Sequence, residues 1–266
     1  MNPKVSIIMG VYNCQNTLKE SIESILNQTF SDFEFIICDD GSTDNTYEII
    51  KEFEKLDNRI KLIRNEKNVG LAGTLNNCLN YADGESIARM DADDIAEDNR
   101  FSEQCYFLDT NKDYSLVGSW AKLFDDNFKW GLRKTKEYVE KSDFLFGTPF
   151  IHPTIMIRKK VLFELGGYRV SEETLRAEDY DLFMTLYSKG YKGYNIQKPL
   201  INFREDRNTY KRRVYGQRIN EAKVRYRGYK KLDLFPKGFI YVLKPIIVGL
   251  IPQVILARFR KENEII

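Results

Sequence analysis

The chain has 266 residues, of which 42% are hydrophobic and 30% charged. That length implies one large domain or two small ones, and the composition is globular, neither disordered nor collagen-like. The 41 basic and 39 acidic residues leave a net charge of +2, which excludes a uniformly basic nucleic-acid coat and a wholly acidic tail.

The N-terminal apolar run is shorter than the core of a signal peptide and reads as a first strand, Val5–Met9. Asn16–Gln28 places Leu18, Ile22, Ile25 and Leu26 at helical spacing. Phe33–Cys38 is a second buried strand. Ser42, Thr43 and Asp44 are N-cap candidates for a helix through about Leu56. Arg59–Arg64 is a third strand, Leu71–Tyr81 a third helix, and Glu85–Met90 a fourth strand. This βαβαβαβ order predicts an α/β fold with a mainly parallel central sheet flanked by helices. Further on, Tyr114–Phe124 and Ile151–Ile157 read as strands. Arg158–Leu165 reads as a helix ended by Gly166-Gly167, and Glu178–Lys189 as a helix ended by Gly190. Arg212–Lys231 is basic and helical in pattern.

Four cysteines, at 14, 38, 78 and 105, form no CxxC pair, and His152 is the one histidine. A structural zinc site is therefore not expected. Scattered single cysteines suit a reduced, cytoplasmic setting. Residues 204–231 hold 11 Lys or Arg against 3 Asp or Glu. That local excess suggests an anionic partner.

In a parallel α/β sheet, ligands bind at the carboxyl ends of the strands. Three such ends are polar here: Tyr12-Asn13, Asp39-Asp40-Gly41-Ser42, and Asp91-Ala92-Asp93-Asp94. Five carboxylates would converge on one edge and repel. A hard divalent cation would resolve the conflict, and Mg²⁺ in particular is commonly held by one or two carboxylates plus phosphates. The competing reading, that such acids cap helices, suits a single residue such as Asp44 or Asp94 better than the whole pattern.

The run VSIIMGVYN followed by LNQTFSDFEFIICDDGSTDNT resembles the start of family 2 glycosyltransferases, as does NVGLAGTLNNCLNYADGESIARMDADD. HPTIMIRKKVLFELGGYR and EDYDLFMTLYSKGY extend the resemblance over residues 4–205. It implies a GT-A fold, Rossmann-like, that binds a nucleoside diphosphate sugar, and an inverting transfer from a UDP-linked donor to a glycan or lipid-linked acceptor in bacterial capsule, exopolysaccharide or lipopolysaccharide assembly. It further implies a nucleotide-sugar half at about 1–100, an acceptor half at about 101–205, and an extension at 206–266. Tyr12 would lie against the base and Asp40 would accept a hydrogen bond from it. Lys67 or Asn68 would help to hold the base or diphosphate. Asp91 and Asp93 match the DxD pair, with Asp93 the direct ligand of Mn²⁺ or Mg²⁺ and Asp91 on the ribose or a metal-bound water. Asp179 matches the catalytic base. Its neighbour Glu178 and His152 belong to the acceptor pocket. Several members carry a metal-binding histidine after a Tyr-Arg or Phe-Arg pair. After Phe203-Arg204 this chain has none, so Asp206 or water would complete the shell.

Residues 239–257 are apolar but broken by Lys244, Pro245 and Pro252, too short for a span of ~20 residues. Basic residues flank them at 223–231 and at Arg258, Arg260 and Lys261. This pattern predicts an interfacial segment and a cytoplasmic protein held peripherally at the inner membrane face. The alternative is an arm packed on protein. Two other functions compete. A sugar-nucleotide nucleotidyltransferase needs a glycine-rich phosphate loop, which Gly10-Val11-Tyr12-Asn13 resembles poorly. A nucleic-acid module at 204–231 would stack bases on Tyr210, Tyr215, Tyr226 and Tyr229, but the acidic strand ends argue against nucleic acid as a partner.

Overall fold

Two apolar runs account for the middle of the sheet. β1 (Val5–Val11) and β2 (Phe33–Asp39) are buried along almost their whole length, which only a strand covered on both faces can be. A computed structural model describes residues 2–125, 129–205 and 215–250. In it β1 pairs in parallel with β2 and with β4 (Ser86–Arg89), and β2 in parallel with β3 (Ile60–Arg64). The crossovers are α1 (Leu18–Leu26), α2 (Thr46–Leu56) and α3 (Leu71–Leu79). The expected βαβ order is therefore present.

Beyond residue 90 the sheet becomes mixed. After β3-β2-β1-β4 the order continues with Met156–Arg158 (β8), Leu116–Phe124 (β6), Gly193–Arg204 (β9) and Ile95–Ala96 (β5), with Lys129–Arg133 (β7) on β6. β8 runs antiparallel to both β4 and β6. β9 is parallel to β6, and β5 antiparallel to β9. The strand expected over Ile151–Ile157 is shorter: His152–Thr154 form a 3-10 turn and pairing starts at Met156. Pro153 has no N–H to give to a ladder, so it suits the first turn of a helix.

The strand period splits the core in two. Val5, Ile7 and Met9 face a cluster with α1 and α4 (Arg100–Thr110). Ile8, Ile36 and Ile87 face the opposite cluster with α3, α5 (Lys159–Glu164), α6 (Glu178–Ser188) and α7 (Tyr215–Lys231). Each such fully buried side chain contributes roughly 1.5–3 kcal/mol. All four cysteines are free, and Cys38, Cys78 and Cys105 serve as small buried packing groups.

The basic helix α7 is packed into the body of the fold. Ala222, Val224 and Tyr229 of α7 belong to the core, and a side chain at Gly228 would overlap Met184 of α6. Arg225 is buried, bonded to Glu221 and to the Tyr229 hydroxyl at 2.7 Å. Tyr229 donates to the Phe144 carbonyl at 3.1 Å, so it is closed to base stacking. Arg227 pairs with Glu173 at 2.8 Å. Part of the local positive excess is thus neutralised inside the fold. Tyr210, Asp206, Arg258, Arg260 and Lys261 lie outside the described residues. α8 (Phe239–Leu250) follows, and among the described residues no helix is long and apolar enough to cross a membrane.

Candidate active site

The turns that follow β1 and β2 are stitched together. Asn13 sits at φ 50, its N–H donates to Ser42 Oγ at 3.0 Å, and its side-chain oxygen accepts from the Thr43 N–H at 2.9 Å. The Asp40 N–H donates to the Val11 carbonyl at 2.8 Å, which places Asp40 beside the half-exposed Tyr12. Asp40 itself is 3% exposed. Its Oδ1 accepts from the Val69 N–H and from Asn65 Nδ2, both at 2.8 Å, and its Oδ2 from the Gly70 N–H at 3.0 Å. It thereby caps α3 across the sheet edge, where the helix dipole favours an anion. A carboxylate has about four acceptor positions, so about one remains for a ligand. Gly41 has φ +73, and a Cβ there would meet the Lys67 backbone at 3.2 Å. Lys67 and Asn68 therefore pass directly over the Asp40 turn. Tyr12, Asp40 and Lys67, distant in sequence, share one rim.

The five carboxylates do not all converge. Asp39 is buried, accepts from the Ser42 N–H at 3.2 Å and pairs with Arg64 at 3.2 Å. Asp39 thus serves its own turn and β3, whereas Asp40 serves the start of α3. Asp91, Asp93 and Asp94 form the cluster, with one carboxylate oxygen from each within 4.8 Å of the others. Their loop is fastened to α1: Thr17 donates to the Ala92 carbonyl and Ser21 to that of Asp91, each at 2.9 Å. On the other side Arg204, at the end of β9, donates its N–H to Asp94 Oδ1 at 2.8 Å and its Nε to the Asp93 carbonyl at 3.0 Å. Asp94 is thus not a helix cap. Its Oδ2 is buried without a hydrogen-bond partner.

The electrostatics follow from this crowding. Asp93 is open to solvent on one side. The protein enclosing its carboxylate, and then the Asp91 charge, push its pKa up to about 6, against the pull of Arg89 and Arg204. Burial, then Asp91 and Asp93, push Asp94 well above the usual carboxylate range. Three hard oxygen donors this close, one of them orphaned, fit a divalent cation.

Arg89 is the common counter-charge. It is 3% exposed, pairs with Asp91, and leaves Nε and Nη1 buried without acceptors. Its positive charge also reaches Glu178, His152 and Tyr168. Glu178 and Asp179 open α6, where Asp179 Oδ1 accepts from the Tyr180 N–H at 2.8 Å. Burial, and then Asp179, raise the Glu178 pKa. His152 is buried with Nε2 at 2.9 Å from the Tyr168 hydroxyl. Burial, and then Arg89, push its pKa well below the usual histidine range, so the ring is neutral. Tyr168 is held in turn by Asn76 of α3, whose Nδ2 donates to the Tyr168 carbonyl at 2.7 Å and whose Oδ1 accepts from its N–H at 2.8 Å. The expected donor-side and acceptor-side residues are thereby linked through α3.

Sequence reasoning missed Arg89, Tyr168, Asn76 and Arg204. For Arg89 a signal existed: it is the lone cation in the buried strand Ser86–Arg89, two residues before Asp91. In an extended chain that spacing puts both side chains on one face. Asn76 had no signal, because its partner lies 92 residues away.

Comparison with known proteins agrees with this architecture. The family model for glycosyl transferase family 2 matches residues 6–167. EpsE of Bacillus subtilis, assigned as a glycosyltransferase, is 41% identical over 262 residues, covering 98% of this chain and 94% of that protein. A UDP-Gal:α-D-GlcNAc-diphosphoundecaprenol β-1,3-galactosyltransferase of Escherichia coli is 32% identical over 260 residues, 94% and 92% of the two chains. Among solved structures, S. aureus TarS 1–349 with UDP-GlcNAc superposes with a TM-score of 0.71 at 20% identity, over 86% of this chain and 66% of that one. The mannosyltransferase PcManGT of Pyrobaculum calidifontis, with GDP-Man and Mn²⁺, gives 0.65 at 19% identity over 94% and 69%. These two likenesses concern the fold, which is of the GT-A kind. The matched segment carries the acid cluster and the stitched turns of β1 and β2, and with the near full-length relatives it makes the chain a member of glycosyltransferase family 2.

Proposed function

We propose that this glycosyltransferase moves a sugar, with inversion, from a UDP-linked donor to a hydroxyl of a lipid-linked glycan in bacterial surface polysaccharide synthesis. The observation that carries the reading is the Asp91–Asp93–Asp94 carboxylate cluster, paired through Asp91 with one buried arginine, Arg89, whose charge also reaches Glu178, the neighbour of Asp179. Relatives named for undecaprenol diphosphate-linked acceptors, such as the E. coli galactosyltransferase and the glucosyltransferase WfaP, support the acceptor class. UDP-GlcNAc and GDP-Man with Mn²⁺ in the fold's neighbours support the donor class and the metal.

Residues 1–100 would take the nucleotide, with Tyr12 against the base, Asp40 accepting from it through its remaining acceptor position, and Lys67 at the diphosphate. Asp93 and Asp94, with Asp91, would hold Mn²⁺ or Mg²⁺, which when bound stabilises the negative charge of a leaving diphosphate. Arg89 keeps the carboxylates oriented. Asp179 accepts the proton of the acceptor hydroxyl as its oxygen bonds to the anomeric carbon and the bond from that carbon to the diphosphate oxygen breaks. Attack from the face opposite the leaving group inverts the centre. Glu178 and the neutral His152, fixed by Tyr168, shape the acceptor pocket.

The test is a panel of UDP- and GDP-sugars incubated with the protein, Mn²⁺ or Mg²⁺, and a GlcNAc-diphosphoundecaprenol analogue in detergent. Acceptor-dependent release of UDP with a β-linked product is expected. No transfer from any donor of the panel, with formation of UDP-sugar and pyrophosphate when UTP and a sugar 1-phosphate are supplied instead, would replace the reading with nucleotidyl transfer, and an α-linked product from an α-linked donor would overturn inversion.

A further inference from the structure

Apart from Lys244, α8 is apolar around its circumference, but only one side of it is covered. Val242 and Pro245 are buried, and α8 packs along α7. Phe239, Ile240, Leu243, Ile247 and Leu250 are exposed, Ile240 at 75% and Leu250 at 71%. At 100° per residue these five side chains fall within an arc of about 100°, opposite the buried pair. Single exposed apolar residues are ordinary, whereas a contiguous stripe of large ones marks a contact surface. Tyr241, about 100° beyond that arc, packs against the core and meets the ring of Phe146 at 5.4 Å, which holds the covered side of α8 to the catalytic body.

The charges around the stripe select its partner. Lys237 and Lys244 are exposed, Lys244 on the edge of the apolar arc, and residues 237–250 contain no acid. Lys223 and Lys230 stand exposed on α7. A helix of 12 residues is about 18 Å long, short of the ~30 Å hydrocarbon core. An apolar stripe edged by lysines on such a helix matches a surface that is negative at the headgroups and apolar beneath.

We propose that the outer face of α8 seats on an anionic phospholipid surface, with the helix lying parallel to it. The proposal deepens the reading of a lipid-linked acceptor, because it names the surface on which the enzyme meets that acceptor.

Sedimentation of the full chain with vesicles, without nucleotide or acceptor, tests it. The protein co-sediments with phosphatidylglycerol-containing vesicles and much less with pure phosphatidylcholine, and 0.5 M salt weakens binding without abolishing it. Ile240→Glu with Ile247→Glu lowers the partition coefficient by about tenfold or more per side chain. Lys237→Glu with Lys244→Glu removes the preference for anionic lipid. All four side chains are exposed, so the melting temperature and donor-sugar hydrolysis stay at wild-type values. A chain that ignores both vesicle types, or isoleucine variants that bind like wild type, overturns the proposal. So does a stable dimer that the isoleucine variants dissociate and vesicles do not, because the face then belongs to a second copy. Binding by a chain ended after Leu250 but not by the intact chain also overturns it, because the following residues then cover the face. Transfer to the detergent-dispersed acceptor separates the two readings: lost vesicle binding with intact transfer sinks only the lipid face, and the reverse sinks only the transfer reaction.

Discussion

Asp93→Asn should stabilise the metal-free fold while removing metal-dependent nucleotide binding. Asn keeps the shape of the side chain and deletes the charge that burial and Asp91 disfavour. Raising a carboxylate from its ordinary 3.8 to about 6 corresponds to about 3 kcal/mol at ~1.4 kcal/mol per unit. Asp93 is more than a third exposed, so solvent screening reduces this to ~1 kcal/mol. The sign follows from linkage. The folded chain holds this proton more tightly than the unfolded chain does, so the contribution of Asp93 to stability is complete below its ordinary pKa and is lost as pH rises through about 6. The variant lacks that dependence. Without metal it should melt about 2–4 °C above wild type near pH 7, and the gap should close near pH 4. With Mn²⁺ and UDP the order should reverse, because only wild type gains stability from the bound pair. Thermal melts across this pH range, with and without the ligands, decide the matter. A variant less stable than wild type near pH 7 without metal, or a gap that persists on acidification, would refute the repulsion argument. Unchanged metal-dependent UDP binding would refute the role.

Two further outcomes are expected. Asp179→Asn should lower transfer by ~10²–10⁴-fold while calorimetry finds donor affinity nearly unchanged; turnover within a few-fold of wild type would remove Asp179 from the reaction. Asn76→Ala deletes both hydrogen bonds to the Tyr168 backbone, so urea unfolding should show a loss of about 2 kcal/mol, and the acceptor KM should rise more than the donor KM because Tyr168 carries His152.

The first ninety residues were legible because their structure is locally encoded. Val5–Val11 and Phe33–Asp39 are apolar enough to require cover on both faces, the helices between them show a 3.6-residue stripe, and the polar strand ends point to a ligand edge. Gly166, Gly167 and Gly190 adopt the positive φ that ends a helix, which a side chain would oppose. The family resemblance rests on the same segments.

The remainder depended on contacts between distant residues. The two-residue β5 exists because Asn202 and Ile201 of β9 lie beside it, and no periodicity fits into two residues. β8 runs antiparallel between β4 and β6 because the chain returns from the far side of the sheet, which residues 151–158 do not record. The composition of α7 showed a basic helix and suggested an anionic partner, but gave no sign that Arg225 is buried against Tyr229 and the Leu145 carbonyl. Both Asp39 and Asp40 stood in the ligand-edge pattern, and only the fold turned them to Arg64 and to the α3 N-terminus while leaving Asp91, Asp93 and Asp94 together. Residue type and spacing determined which groups bear charge near the edge. Which charges are already satisfied by protein donors, and which remain for a ligand, depends on distances across the sheet that only tertiary packing fixes.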